Sequence, residues 1–277
     1  MRECNMRNFK MVCLDIDGTL LNSRHKISKR TKNIIKIISK EENITVILVS
    51  ARMPKGILPF QKELGIIEPI ICYSGSLIID EKREVITTKE IEIEDIKNIY
   101  NTAKDENIHI SLYRDNEWFV EEIDEWVRQE SEITKIIPTI INFQELIEVW
   151  RKEKKGANKI LSMSDVENIS RLADKLKGEK FEGLNIYPSK TTYLEIMTKK
   201  ASKTSAIEFL CNKLNIEKEE VIAIGDNYND MDMLQYAGVG IAMGNAPDIV
   251  KEKADDITST NDEDGVAKAL EKYFLYN

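Results

Sequence analysis

The sequence predicts an α/β protein: a parallel sheet with helices on its faces, into which a smaller α+β unit is inserted. Three observations lead there. Apolar runs and amphipathic helical stretches alternate from residue 10 to residue 73. The same alternation returns after residue 192 and continues to residue 274. Between them lie short alternating strands with helical stretches that cover them on one side only.

Residues 10–16 are a short apolar run that stops at acidic and glycine residues. Residues 28–42 follow, with Ile34, Ile35, Ile37 and Ile38 on one face of a helix. Residues 45–51 form the next strand, residues 53–64 a helix that closes at Gly65, and residues 69–73 a third strand. Strand–helix–strand order of this kind makes neighbouring strands parallel, and such sheets place their ligands at the carboxyl ends of the strands. In the insert, residues 109–113 and 117–120 make a hairpin around Arg114, Asp115 and Asn116, flanked by helical stretches at 91–104 and 123–130. A helix over 143–154, a strand over 158–163, a helix over 166–176 and a strand over 181–187 complete it. The first pattern then resumes. It comprises a helix over 204–214, a very apolar strand over 221–224, a helix over 229–236, a strand over 239–243 and an amphipathic helix over 264–274. The reading is one discontinuous domain, residues 1–82 and 191–277, interrupted by a second domain over 83–190.

The 277 residues are 42% hydrophobic, ample for a packed core, and 32% charged. A net charge of -8 provides no positive field to attract a nucleic-acid backbone. Arg151, Lys152, Lys154 and Lys155 alternate with other residues in the manner of a solvated helix face. No apolar run approaches bilayer-spanning length, and residues 1–10 are polar rather than signal-like. Cys4, Cys13, Cys72 and Cys211 show no C-x-x-C spacing. A cytoplasmic protein with reduced thiols and no membrane partner is expected.

Two acidic loops carry the chemistry. Asp15-Ile16-Asp17-Gly18-Thr19-Leu20 directly follows the first strand, which sets Asp15 at the sheet's carboxyl edge; Gly18 lets the chain turn so that Asp17 reaches the same space. Gly225-Asp226-Asn227-Tyr228-Asn229-Asp230 follows the most apolar late strand. Either loop alone is compatible with an acidic turn. Together they form a carboxylate cluster that a cation must offset, and Mg²⁺ favours such hard oxygen ligands and joins them to phosphate. Asp15, Asp17, Asp226 and Asp230 are the candidate metal residues. Ser50, at the end of the second strand, and the backbone at Ala51 can donate to phosphate oxygens; Arg52 either lines the cleft or pairs with an acid. Lys203, just before a helix, can neutralise a phosphate, although a lysine in so lysine-rich a chain is ordinarily a surface residue.

This set resembles the haloacid dehalogenase-like hydrolase superfamily, and within it the Cof-type phosphatases with a large α/β (type IIB) cap. Asp15 and Asp17 match the first motif, Ser50 the second, Lys203 the third, and Gly225-Asp226 with Asn229-Asp230 the fourth. Further similarity lies in residues 72–76, in Met243-Gly244-Asn245-Ala246 and in residues 261–266. The chain departs from the family in having Ser50-Ala51-Arg52 for Thr-Gly-Arg, Ser74-Gly75-Ser76 for Asn-Gly-Ala, and Thr204 rather than glycine after Lys203. The resemblance implies a three-layer Rossmannoid core and a cap that closes as a lid. It also implies a Mg²⁺-dependent phosphatase of small phosphorylated metabolites. In that scheme Asp15 is the nucleophile that forms an aspartyl-phosphate, and Asp17 is the general acid and base. Mg²⁺ is held by Asp15, the Asp17 carbonyl and Asp226, with Asp230 supporting the site; Ser50, Asn227 and Lys203 orient the phosphoryl group. Cap candidates are Arg114, Trp118, Glu121 and Tyr187, while Trp118 and Trp126 also suit plain packing, and His25 and His109 lack a companion ligand. Monomer and homodimer are both open. A phosphoryl-transferring mutase, a non-catalytic phosphometabolite-binding protein and a receiver domain are the competing readings.

Overall fold

A computed structural model describes residues 9–275; Cys4 and the polar stretch over residues 1–8 lie outside them. In chain order the first sheet receives β1 (Met11–Asp15), β2 (Thr45–Val49), β3 (Ile70–Cys72), β4 (Leu77–Ile79) and β5 (Val85–Thr88), with α1 (Lys29–Lys40) and α2 (Pro54–Leu64) between the early strands. The middle of the chain supplies α3 (Ile93–Asp105), β6 (His109–Arg114), β7 (Glu117–Val120), α4 (Glu125–Thr134) and β8 (Thr139–Ile140). It continues with α5 (Phe143–Glu153), β9 (Lys159–Met163), α6 (Val166–Lys175), β10 (Leu184–Lys190) and β11 (Tyr193–Thr198). The last part returns to the first sheet with α7 (Lys203–Leu214), β12 (Val221–Gly225), α8 (Met231–Tyr236), β13 (Val239–Ala242), α9 (Asp248–Lys251), β14 (Asp256–Ile257) and α10 (Gly265–Phe274).

The first sheet runs β14-β13-β12-β1-β2-β3-β4-β5. Pairing is parallel from β14 through to β3, and β4 returns antiparallel on β3. The expected α/β class is therefore what the chain forms. β1 is central and buried along its whole length, which is why it reads as an unbroken apolar run. Met11 and Cys13 face one side with Ile47, Val49 and Ala223, packed against Ala206, Ile207 and Leu210 of α7. Their neighbours Val12, Leu14, Val46 and Leu48 point the other way and are equally buried. Each such side chain contributes roughly 1.5–3 kcal/mol on burial. α1 starts where Ser28 accepts the Thr31 N–H, and it buries Thr31, Ile34, Ile35 and Ile38, the i, i+3, i+4, i+7 set of one helix face.

The second sheet runs β10-β11-β9-β6-β7-β8 and is antiparallel apart from the β7–β8 pair. Ile110, Leu112, Ile160, Leu194 and Ile196 pack on one face with Ile99 of α3, Phe143 and Trp150 of α5, and Leu172 of α6.

Two compact units result: one runs to Ala51, through Ile57–Ile86 and on from Ser202; the other holds Arg52–Gly56 and Thr87–Ala201. β11 falls on the first unit's side of the sequence-based boundary at 190/191, yet it pairs with β10 and β9 in the second sheet. Its side chains are buried on both faces, as are those of its neighbour β9, so it belongs to the interior of the second sheet. Cys13, Cys72 and Cys211 are buried free thiols. Among the described residues no helix is long and apolar enough to cross a membrane.

Candidate active site

The register of the first sheet sets Leu14 opposite Ile224 and Asp15 opposite Val49. Asp15, Ser50 and the Gly225-Asp226 pair therefore leave the sheet side by side at its carboxyl edge. Lys203 arrives from a different element. Ser202 caps α7 by accepting the Ser205 N–H, while Ser205 Oγ accepts nothing less than the reciprocal Ser202 N–H, and Lys203 is the first helical residue. Its side chain is 2% exposed, and Nζ lies 2.5 Å from Asp15 Oδ1 and 2.6 Å from Asp230 Oδ1. The lysine is thus a buried counter-ion and not a surface residue.

Asp230 is occupied at both oxygens. Oδ1 takes the lysine, and Oδ2 accepts the N–H groups of Asp226 and Asn227 at 3.0 Å each. The acid folds back over Gly225 so closely that a Cβ there would lie 2.6 Å from the Asp230 Cβ. Gly18 meets a similar demand in the first loop. Its φ is +83°, and an added Cβ would lie 2.3 Å from Asp226 Oδ2, so only glycine lets the two acidic loops touch. Thr19 Oγ1 then donates to Asp226 Oδ1 at 2.7 Å.

The charges do not balance. Asp15, Asp226 and Asp230 offer carboxylate oxygens within 4.8 Å of one another, against one ammonium. Burial pushes the Asp15 carboxyl well above its usual range, more than Lys203 pulls it down, and Asp230 and Asp226 push further. Burial raises Asp226 to about 6, with Asp230 and Asp17 adding to the effect and Thr19 opposing it. Burial works against the Lys203 charge too, but Asp15 and Asp230 outweigh it and hold that ammonium above its ordinary pKa. A group of hard oxygen donors that resists ionising without added positive charge suits a divalent, oxygen-seeking cation, and Mg²⁺ fits that donor set.

The remaining candidates are placed as follows. On sequence grounds Asp17 counts among the metal residues through its backbone carbonyl; its side chain is exposed and stands outside the three-acid cluster. The reason is local: β1 ends at Asp15, so the two-residue alternation that would aim both acids the same way stops there. Ser50 is buried, its N–H donates to the Ile71 carbonyl, and its carbonyl accepts the Ser74 N–H. Ala51 and Arg52 are half-buried. Asn227 is exposed, and its side-chain oxygen accepts the Tyr228 N–H of its own loop.

Two residues named above only for their resemblance prove to be structural partners of the site. Asn245 Nδ2 donates to the Gly18 carbonyl at 2.9 Å and lies 3.4 Å from Asp226 Oδ2; Asn261 Nδ2 donates to the Leu21 carbonyl. In the second unit the cap candidates are engaged internally. Glu121 accepts from Tyr100 Oη and the Phe143 N–H, Trp118 Nε1 donates to Ser111, and Arg114 lies among Glu90, Asp115 and Glu153. His109, without a companion on sequence grounds, bonds Asp124 at 2.7 Å and Ser111 at 2.8 Å.

Known proteins share the sequence pattern and the fold. Residues 12–270 match the family described as haloacid dehalogenase-like hydrolase. A Haemophilus influenzae protein named as a candidate phosphatase is 39% identical, with 96% of this chain and 98% of that protein covered. The 5-amino-6-(5-phospho-D-ribitylamino)uracil phosphatase YcsE of Bacillus subtilis is 30% identical, with 97% of each covered. A haloacid dehalogenase-like hydrolase from Bacteroides thetaiotaomicron superposes with a TM-score of 0.87 at 33% identity, covering 96% of this chain and all of that one. The chain belongs to the haloacid dehalogenase-like hydrolases, in the branch that holds these phosphatases.

Proposed function

We propose that this hydrolase is a Mg²⁺-dependent phosphatase of small phosphorylated metabolites, working in the cytoplasm through an aspartyl-phosphate on Asp15. The observation that carries the reading is the buried Lys203 bridge, 2.5 Å from Asp15 and 2.6 Å from Asp230, beside the further carboxylate of Asp226. Asp15 and Asp226 would hold Mg²⁺, which supplies charge compensation for the acids and for an incoming phosphate. Asp230, with both oxygens engaged, holds Lys203 and the fourth-motif loop in place.

In the first step an Asp15 carboxylate oxygen bonds to phosphorus as the ester P–O bond breaks, and Asp17 gives its proton to the departing oxygen. In the second, water bonds to phosphorus, the acyl-phosphate P–O bond breaks, and Asp17 recovers a proton from that water. The exposed position of Asp17, outside the cluster, suits a group that must exchange protons. Lys203 and Ser50 orient and neutralise the transferring group. YcsE is named for a phosphorylated ribitylaminouracil, which supports a small phosphomonoester as the substrate class.

The test is phosphate release from p-nitrophenyl phosphate and a panel of sugar and cofactor monophosphates, with and without Mg²⁺. Wild type should turn over only with the metal, and Asp15→Asn should be inactive while folded. Full activity in that variant would remove the nucleophile assignment.

A further inference from the structure

We propose that Asn245 and Asn261 form a clasp that sets the geometry of the metal-binding loops, so that Mg²⁺ affinity depends on amides that are not themselves carboxylate ligands. This rests on the reading of Asp15 and Asp226 as the residues that hold Mg²⁺.

The first acidic loop turns back on itself, with a bridge between Asp17 and Leu21. Its internal backbone bonds include Leu20 N–H to the Asp15 carbonyl at 3.3 Å and Leu21 N–H to the Ile16 carbonyl at 2.9 Å, and its turn depends on a left-handed glycine. Support comes from residues more than two hundred positions away. The Asn245 amide donates to the Gly18 carbonyl at 2.9 Å and reaches toward Asp226 Oδ2 at 3.4 Å, so one NH₂ group addresses both acidic loops. The other end of that amide is fixed as well, because Asn245 Oδ1 accepts the Asn261 N–H at 3.0 Å. Asn261 in turn donates through Nδ2 to the Leu21 carbonyl at 2.8 Å, and Asp262 Oδ1 accepts the Ser23 N–H at 2.9 Å. The loop is therefore held at Gly18, Leu21 and Ser23 from one platform.

That platform is rigid on its own account. The Gly244 N–H donates to the Ser259 carbonyl at 3.0 Å, and a Cβ on Gly244 would lie 2.8 Å from the Thr260 nitrogen, so the strands of chain bearing the two asparagines are in direct backbone contact. Asn245 itself is exposed, and its truncation removes no core packing. Such a residue acts by fixing what a metal must otherwise order, and partners of this kind change metal affinity by roughly 10- to 100-fold. Asn245 and Asn261 are positioning residues: their side-chain amides hold the loop at Gly18 and Leu21, and the Asn261 backbone N–H fixes the Asn245 side-chain oxygen.

The experiment is calorimetric Mg²⁺ titration of the full chain as wild type, Asn245→Ala, Asn261→Ala and the double variant, with Tm measured with and without Mg²⁺. Asn245→Ala should bind Mg²⁺ about tenfold or more weakly. Asn261→Ala keeps the backbone N–H that Asn245 Oδ1 accepts and loses only the bond to Leu21, so it should weaken binding less, and the double variant, with both tethers gone, should bind more weakly than either single. Tm without the metal should barely change, while the rise on adding Mg²⁺ shrinks. With excess Mg²⁺, kcat should return close to wild type. Mg²⁺ affinity within twofold of wild type in Asn245→Ala, a double variant that binds no more weakly than Asn261→Ala alone, or a loss of Tm without metal as the sole change would overturn the clasp. Wild type that binds Mg²⁺ but releases no phosphate would defeat the phosphatase reading and leave the clasp to be judged by these affinities. Wild type that binds no Mg²⁺ would overturn the clasp itself.

Discussion

Lys203→Met is the perturbation that asks most of the site. The ammonium is 2% exposed and lies within hydrogen-bond distance of two acids that are themselves buried. Methionine fills a similar volume but leaves Asp15 and Asp230 facing each other without a counter-charge. Breaking a buried ion pair from one side costs about 3–5 kcal/mol. At about 2–4 °C per kcal/mol for a domain of this size, Tm should fall by about 10 °C without metal at pH 7.5. Two further outcomes follow from the sign of the charges. Added Mg²⁺ should recover part of the loss, because it supplies positive charge to the same oxygens. Lowering the pH to 5 should shrink the difference between variant and wild type, because burial favours protonation of Asp15 and a protonated acid needs the lysine less. Phosphatase activity should fall by about 10²- to 10³-fold with saturating Mg²⁺. The assay is differential scanning calorimetry with and without Mg²⁺ at the two pH values. A Tm change of under about 3 °C at pH 7.5 would refute the view of Lys203 as an essential buried counter-ion.

Asp226 carries a raised pKa of about 6 against an ordinary 3.8, so the folded protein keeps a proton there that the unfolded chain has lost. Stability without metal should fall as pH rises from about 4 to 6, by at most about 3 kcal/mol. Asp226→Asn should therefore be more stable than wild type at pH 7.5 without Mg²⁺, yet gain nothing when Mg²⁺ is added, as thermal melts at both pH values would reveal. Asp17→Asn should lower kcat by about 10²- to 10⁴-fold while calorimetric Mg²⁺ affinity changes only a few-fold, because the carboxylate stands outside the cluster. Gly75→Ala should drive the start of α7 away from its place: φ is +103°, and a Cβ would lie 2.1 Å from the Ser202 carbonyl oxygen. A shift of about 1 Å in Lys203 should cost about 10²-fold in kcat/KM, measured on folded protein.

Much of this site was legible because its loops follow strands that are buried on both faces. β1 and β12 read as unbroken apolar runs, and the acids that end them mark the sheet's carboxyl edge. Spacing alone did not distinguish the acids from one another. Asp230 differs from Asp226 because its carboxylate folds back over Gly225, a tertiary fact that the Gly225-Asp226 pair hints at without fixing. Lys203 was visible as a candidate only through its motif, since composition favours a surface lysine and its burial depends on acids 188 and 27 positions away. Asn245 is harder still: an exposed asparagine reads as a turn former, and the bond that gives it a role reaches Gly18 across 227 positions. In the second unit, β11 carries no turn signal to separate it from the segment that returns to the first sheet, and only its pairing with β10 and β9 places it.

The central claim is that Asp15 itself carries the phosphoryl group. Acid quenching of wild type during turnover of p-nitrophenyl phosphate with Mg²⁺, followed by peptide mass mapping, should find an alkali-labile phosphoryl group on the peptide that contains Asp15. Asp15→Asn should show none. Phosphate release at the full rate with that peptide unmodified throughout, or a phosphoryl group trapped on a different residue, would contradict the account.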